Sequence, residues 1–207
     1  MKKILFVFLY FFLMPDAFSQ KETAKKGYFN TTQISLLMGN RQIGDNYQSL
    51  NYARSELFPS VTMTNGYMFN EYVAIGIGVG FEIFDRNLFP VFVDIRRTFW
   101  DKDISPFLAF KMGHSFSNFK KKHYDYLSLY HQPYNINNAY YKKDGGLMVH
   151  PEMGVKITLT ENADLLFTVA YRYQKTKSTV SQDIGRREWN HEESMNRLSF
   201  GVAITFK

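Results

Sequence analysis

The chain has 207 residues, which is enough for one domain with a core of its own. It contains no cysteine, so disulfide bonds and thiolate metal sites are excluded. The formal net charge of +6 is typical of a soluble basic protein, but the aromatic share of 17% is high and argues against that class.

The first nineteen residues predict a secretory signal peptide. Lys2 and Lys3 form a positive start, residues 4–14 form an uninterrupted apolar run, and Ala17 and Ser19 suit a cleavage site. The run is too short to span a membrane, which disfavours the alternative of an N-terminal membrane anchor. We therefore expect residues 1–19 to be cleaved off and residues 20–207 to form the mature domain.

Apolar and polar residues then alternate with a period of two in eight segments, which is the pattern of β-strands. In chain order the segments are 27–39, 56–69, 74–84, 88–100, 106–117, 147–160, 164–174 and 198–206. In the third segment, Gly76, Gly78 and Gly80 share one face. We expect this bare face to leave room for arginine and lysine side chains from the opposite wall of a closed sheet.

The connections between the segments are sorted by length. Short turns fall at residues 70–71, 101–105 and 161–163. The connections that alternate with them are 40–55, 85–87, 118–146 and 175–196, and all of these except 85–87 are long. Barrels that span the bacterial outer membrane have this arrangement of short periplasmic turns and longer extracellular loops. We therefore predict an all-β, eight-stranded, antiparallel up-and-down transmembrane β-barrel. A soluble β-sandwich or a secreted lipocalin-like barrel is the alternative.

Aromatic residues at the strand ends support the membrane interpretation, because membrane barrels carry an aromatic belt at each interface. The predicted periplasmic belt contains Tyr28, Phe29, Tyr67, Phe69, Tyr72, Phe99, Trp100, Phe107 and Phe206. The predicted outer belt contains Phe58, Phe84, Phe89, Phe116, Tyr171 and Tyr173.

The signal peptide, the eight strands and the terminal "RLSFGVAITFK" together resemble the small outer-membrane β-barrel proteins of the OmpA/OmpX-like superfamily. The last strand is similar to that family's C-terminal assembly signal, which usually ends on an aromatic residue. Here Phe206 is penultimate and Lys207 follows it. The resemblance implies a monomer in the outer membrane of a Gram-negative bacterium, and it leaves the activity open.

Seven charged residues have the inward register of the predicted barrel. They are Glu82, Asp94, Arg96, Lys111, Glu152, Lys156 and Arg172. An eight-stranded barrel has room for side chains and little else, and unpaired buried charges are costly. We therefore expect these residues to form a salt-bridge network that fills the lumen and leaves no open pore. The alternative is a narrow channel for small solutes, gated by the same pairs.

The segment "GHSFSNF" is similar to the His-x-Ser-Asn motif of the outer-membrane lipid A deacylases. The spacing differs, because neither Ser115 nor Ser117 is two residues after His114. In a regular strand His114 faces lipid while Ser117 faces the lumen, so the base does not reach the nucleophile. An esterase site of His114 and Ser117 is therefore disfavoured. The other histidines lack metal-ligand spacing, and we expect no metal and no cofactor.

The segment 118–146 predicts a surface ribbon that extends beyond the membrane. Its contact candidates are Lys120, Lys121, Lys122, Tyr124, Tyr126 and Tyr130. Basic and tyrosine-rich surfaces suit contact with lipopolysaccharide phosphates, glycans or cell-surface proteins. Binding of nucleic acid needs one continuous basic face, so we do not expect nucleic acid as a partner. We expect a structural, adhesin-like role. A lipid-modifying enzyme is the first alternative, and a solvated loop without a dedicated partner is also open.

Overall fold

The computed structural model describes residues 26–43, 56–83, 87–117, 119–123, 139–182 and 187–207, and the statements below concern these residues. They form ten strands: β1 Gly27–Ile43, β2 Glu56–Met68, β3 Val73–Glu82, β4 Leu88–Thr98, β5 Ile104–Ser117, β6 Phe119–His123, β7 Ala139–Asp144, β8 Gly146–Thr160, β9 Ala163–Gln182 and β10 Arg187–Phe206. Residues 1–25 lie outside the described part, so the signal peptide stays a prediction.

Eight of the strands, β1 to β5 and β8 to β10, form a closed antiparallel barrel. Each pairs with the next wall strand along the chain, and β10 pairs with both β9 and β1. Thr31 lies opposite Thr205 at this closure, and the ladder continues from there to Ile43 and Glu193. The predicted fold class is confirmed. Among the described residues, no helix is long and apolar enough to cross a membrane.

The outer face of the wall is a continuous apolar band. On β3 the outward Ile75, Ile77 and Val79 are 40%, 66% and 53% exposed, and the other wall strands show the same alternation. Exposed apolar area on this scale marks contact with a membrane or with another protein. Because the band runs around a closed barrel, its natural solvent is lipid.

The short turns lie at one end of the barrel. In the turn after β2, Asn70 Oδ1 accepts hydrogen bonds from the backbone N–H groups of Tyr72 (2.9 Å) and Val73 (2.7 Å). An asparagine side chain that bonds to the backbone two residues on closes a tight turn without help from other elements. The first residue of β1, Gly27, and the last residue of β10, Phe206, also lie at this end, which we therefore call the periplasmic end.

The segment 175–196 differs from the predicted long loop. Residues 175–182 continue β9, residues 187–196 belong to β10, and the two are paired from Arg187 opposite Gln182 downwards. Sequence alternation misses this part of the hairpin because both faces lie above the apolar band and carry polar residues. Its strand structure comes from backbone pairing with a neighbour that is already in place.

The aromatic belts are correct only in part. Tyr28, Tyr67, Phe69, Trp100 and Phe206 at the periplasmic end, and Phe89, Phe116 and Tyr171 at the other end, are exposed on the outer face. Phe29 and Phe107, however, are 2% and 1% exposed and lie inside the barrel, and Phe58 also has the inward register. Phe84 lies outside the described residues. A position near the end of a strand does not by itself place a residue on the outer face, because successive side chains point to opposite faces of the sheet.

The strands β6 and β7 extend the hairpin of β5 and β8 beyond the wall. They pair with each other from Phe119 opposite Lys143 to His123 opposite Ala139, and β7 also pairs with β9. The extension begins at Gly145 and Gly146. A Cβ atom on Gly145 would lie 1.4 Å from the backbone oxygen of Ser115, and one on Gly146 would lie 1.6 Å from that of Lys175. Only glycine fits where the wall passes into the extension.

Candidate functional site

The lumen contains the predicted charged residues in separate layers along the barrel axis. Six of the seven are buried: Glu82, Asp94, Arg96, Lys111, Glu152 and Arg172. The seventh, Lys156, is half-buried near the periplasmic end. The structure therefore brings the predicted set into one lumen, but as three pairs and one separate cation.

The central layer is the most densely bonded. Lys111 Nζ donates to Glu152 Oε2 at 2.8 Å and to Gln33 Oε1 at 2.6 Å. Gln33 Nε2 in turn donates to Glu152 Oε2 (2.9 Å) and to Thr168 Oγ1 (3.0 Å). His150 Nε2 lies 3.4 Å from the same carboxylate oxygen. These residues come from β1, β5, β8 and β9, so one carboxylate connects opposite walls of the barrel.

The outer layer is a second ion pair. Arg172 Nη2 lies 2.6 Å from Glu82 Oε1, and both side chains are almost completely buried. Arg197 lies directly opposite Arg172 on β10, and its guanidinium carbon is 5.9 Å from the centroid of the Phe58 ring. Arg197 has the same inward register as Ser199, but it lies outside the predicted last strand. That strand was predicted to begin at Leu198, eleven residues after the observed start of β10 at Arg187.

The inner layer combines a third ion pair with an apolar cluster. Arg96 Nη2 lies 3.1 Å from Asp94 Oδ2. The Arg96 guanidinium is also 6.0 Å from the centroid of the Phe29 ring and 5.4 Å from that of Phe107, within the range of a cation–π contact. Phe107 belongs to the buried cluster with Ala109, Leu166 and Ala203. Together these side chains fill the barrel directly beneath the central layer.

The glycine face of β3 contacts side chains of the adjacent strands and not the arginine and lysine side chains that the sequence predicted. A Cβ atom on Gly78 would lie 2.4 Å from the Phe92 ring and 2.8 Å from Thr64 Oγ1. On Gly80 it would meet Thr62 and Pro90. The bare face therefore accommodates aromatic and proline side chains from the adjacent strand β4, and not arginine or lysine from the far wall.

The residues of the deacylase-like segment lie on opposite faces of β5. His114 is exposed on the outer face, where its ring centroid is 4.8 Å from that of Phe116. Ser115 is buried in the lumen, and Ser117 has the same inward register, with its hydroxyl oxygen shielded from solvent. The structure does not bring His114 and Ser117 together. Among the described residues, no three His, Asp or Glu side chains are grouped as a metal site.

The predicted surface contacts are described only in part. Lys120, Lys121 and Lys122 form the middle of β6, opposite Lys142, Tyr141 and Tyr140 of β7. Tyr124, Tyr126 and Tyr130 lie outside the described residues. The lysines are thus placed on a paired strand beyond the barrel wall.

Comparison with solved structures finds many similar barrels. The outer membrane protein AlkL in lipid bilayers superposes with a TM-score of 0.54 and 15% identity, covering 94% of this chain and 97% of that one. OprG from Pseudomonas aeruginosa gives 0.52 and 11%, covering 89% and 97%. Neisserial surface protein A gives 0.48 and 14%, covering 88% and 98%. No protein-family model and no curated protein sequence matches the chain. At these identities the likeness concerns the fold.

The closed eight-stranded wall, its apolar outer face and the likeness to AlkL and OprG define the fold class. The chain has the fold of the small outer-membrane β-barrels, as the resemblance in the sequence predicts.

Proposed function

We propose that the protein is a structural, adhesin-like barrel that acts as a monomer and contacts anionic groups at the cell surface through the β6–β7 extension. The main observation that supports this proposal is a β-sheet that lies above the barrel wall. There β9 pairs with β10 on one side and with β7 on the other, and β7 pairs with β6. The order β6–β7–β9–β10 makes a four-stranded sheet beyond the apolar band.

The composition of the two outermost strands favours anionic partners. The strands β6 and β7 together contain five lysines and one acid, Asp144. Lys120 lies directly opposite Lys142 in the pairing register. Like charges at opposed positions destabilise a sheet, and an anionic partner removes that repulsion. Phosphate groups of lipopolysaccharide and acidic glycans have the required chemistry.

The filled lumen supports a surface role over transport. Ion pairs and hydrogen bonds occupy the central layer, and Phe107 with Leu166 occupies the layer beneath it. In the described part of the chain, a solute has to displace buried charged pairs to pass these two layers, and breaking a buried pair is costly.

The test compares two charge-matched double variants. Lys120→Gln with Lys122→Gln removes two charges from β6, and Lys26→Gln with Lys102→Gln removes two exposed charges at the periplasmic end. Binding of lipopolysaccharide and of its dephosphorylated form to protein in nanodiscs is measured at low and high salt. We expect the β6 variant to weaken binding of the phosphorylated form up to about thirtyfold, given up to about 1 kcal/mol for each of the two ion pairs lost.

Equal binding by both double variants contradicts the proposal. So does equal binding of phosphorylated and dephosphorylated lipopolysaccharide, or a lack of salt dependence, because exposed ion pairs are screened by salt.

The proposed route to the outer membrane includes cleavage of residues 1–19. It is supported by the positive start, the apolar run and the small residues before position 20. Mass spectrometry of protein extracted from the membrane fraction checks it. The mature chain should begin at Gln20, and an intact Met1 end contradicts cleavage.

A further inference from the structure

The periplasmic end of the barrel contains a cavity of about 190 Å³, below the layer formed by Phe107. The apolar part of its inner wall is formed by Phe29 from β1, Phe107 from β5 and Leu166 from β9. Ala74 of β3 also lines it, so a small residue contributes to the open space. The volume corresponds to about six water molecules at their share of liquid volume.

Most of the buried charges around the cavity are already paired. Arg96, in the innermost wall, lies 3.1 Å from Asp94. Asp164 is 2% exposed, and Lys207 Nζ lies 2.7 and 2.8 Å from its two oxygens. In each of these two ion pairs the positive charge is neutralised by the carboxylate beside it.

Lys156 differs from these residues. It lines the cavity and is half-buried, yet in the described part of the chain it forms no hydrogen bond and no ion pair within 4.0 Å. The buried acid of the cavity wall, Asp164, is held by Lys207. Three further carboxylates line the cavity: Glu71, and Asp101 and Asp103 in the exposed turn at its mouth. Glu71 and Asp101 attract the Lys156 ammonium from beyond ion-pair distance. In the described part of the chain, the cavity therefore combines an apolar surface with one ammonium group that has no ion-pair partner within 4.0 Å.

We propose that this cavity is a binding site for a small organic anion from the periplasm. The anionic group, a carboxylate or a phosphate, pairs with Lys156, and a short apolar or aromatic body packs against Phe29, Phe107 and Leu166. Partial burial strengthens such a pair relative to one in water, and the aromatic rings supply contact area. The site lies at the opposite end of the barrel from the β6–β7 extension and is independent of the surface role.

The experiment uses the folded protein in nanodiscs and three probes of similar size: benzoate, phenyl phosphate and neutral benzamide. Binding is followed by methyl NMR shifts at Val73, Ala74 and Leu166, which line the cavity. We expect saturable shifts with at least one of the two anions and much weaker shifts with benzamide. The comparison of benzoate with phenyl phosphate identifies the preferred anionic group.

Two variants and one control locate the site. Lys156→Gln should weaken anion binding about tenfold or more, because a hydrogen bond to a charged group is lost. Ala74→Leu should reduce it by filling the cavity while Lys156 remains. Lys26→Gln removes an exposed charge at the same end but outside the cavity wall, and should change nothing.

Folded membrane barrels of this type migrate differently on gels before and after boiling, so retention of this gel shift shows that each variant is folded. No saturable shift with either anion, benzamide binding as tightly as both, or equal binding by the Lys156→Gln and Lys26→Gln variants overturns the proposal.

Discussion

Replacing Glu152 by leucine should destabilise the barrel more than any substitution of an exposed charge. Glu152 Oε2 accepts hydrogen bonds from Lys111 Nζ at 2.8 Å and Gln33 Nε2 at 2.9 Å. Both Glu152 and Lys111 are buried, with 3% and 4% exposed. Among the residues that the structure describes, the Glu152→Leu variant leaves the Lys111 ammonium with one hydrogen-bond acceptor, the uncharged Gln33 Oε1 at 2.6 Å.

The expected size follows from the cost of an uncompensated buried charge. Breaking a buried ion pair by removing one partner costs about 3–5 kcal/mol, whereas replacing both partners by apolar residues is often neutral. We therefore expect the double variant, Lys111→Met with Glu152→Leu, to recover most of the loss. With a denaturant slope of about 2 kcal/mol per molar urea, a loss of about 4 kcal/mol lowers the unfolding midpoint by about 2 M.

The assay is urea unfolding in detergent micelles, followed by the boiling-dependent gel shift and by tryptophan fluorescence. Asp101→Asn, in an exposed periplasmic turn, is the matched control and should shift the midpoint little. The reasoning is refuted if Glu152→Leu behaves like this control. It is also refuted if the losses from Lys111→Met and Glu152→Leu simply add in the double variant, because coupled partners do not add.

Three other predictions concern the wall. Ile77→Arg, in the middle of the lipid-facing side of β3, should cost about 2–4 kcal/mol of unfolding free energy, whereas Leu159→Arg near the periplasmic end should cost about 0–1 kcal/mol; equal costs contradict the assigned membrane depth. Gly113→Val should prevent folding, measured as loss of the gel shift, because a Cβ atom there lies 2.0 Å from the backbone oxygen of Val91. Gly145→Val should change NMR shifts of β6 and β7 and leave those of β2 and β3 unchanged, since its clash is with Ser115 at the edge of the wall; changes throughout the barrel argue against a local role.

The alternation of residues along a strand predicts which charged residues face the lumen, but it does not predict which of them are in contact. A period of two identifies which residues point inward, and it correctly selects Glu82, Asp94 and Lys111. It does not state which inward residue meets which, because partners such as Gln33 and Glu152 are 119 residues apart in the chain. Gln33 and His150 were missed for a further reason: they carry no obligatory charge, so composition does not mark them.

The aromatic residues illustrate the same limit. The alternation that places Tyr28 on the lipid face places its neighbour Phe29 in the lumen, where it packs by Arg96. An aromatic residue suits either environment, since both lipid and a dry lumen accept its ring. Hydrophobicity alone therefore cannot separate a belt residue from a core residue, and the register has to be applied as well.

Local sequence patterns are enough to predict the wall of this protein: the number of wall strands, the lipid-facing register and the end with short turns. These follow from local periodicity and turn chemistry, which act over a few residues. The contents of the lumen, the extension of β9 and β10 above the membrane and the periplasmic cavity beside Lys156 are seen only in the folded barrel. These depend on barrel closure, which brings residues from distant strands together at distances that no local pattern encodes.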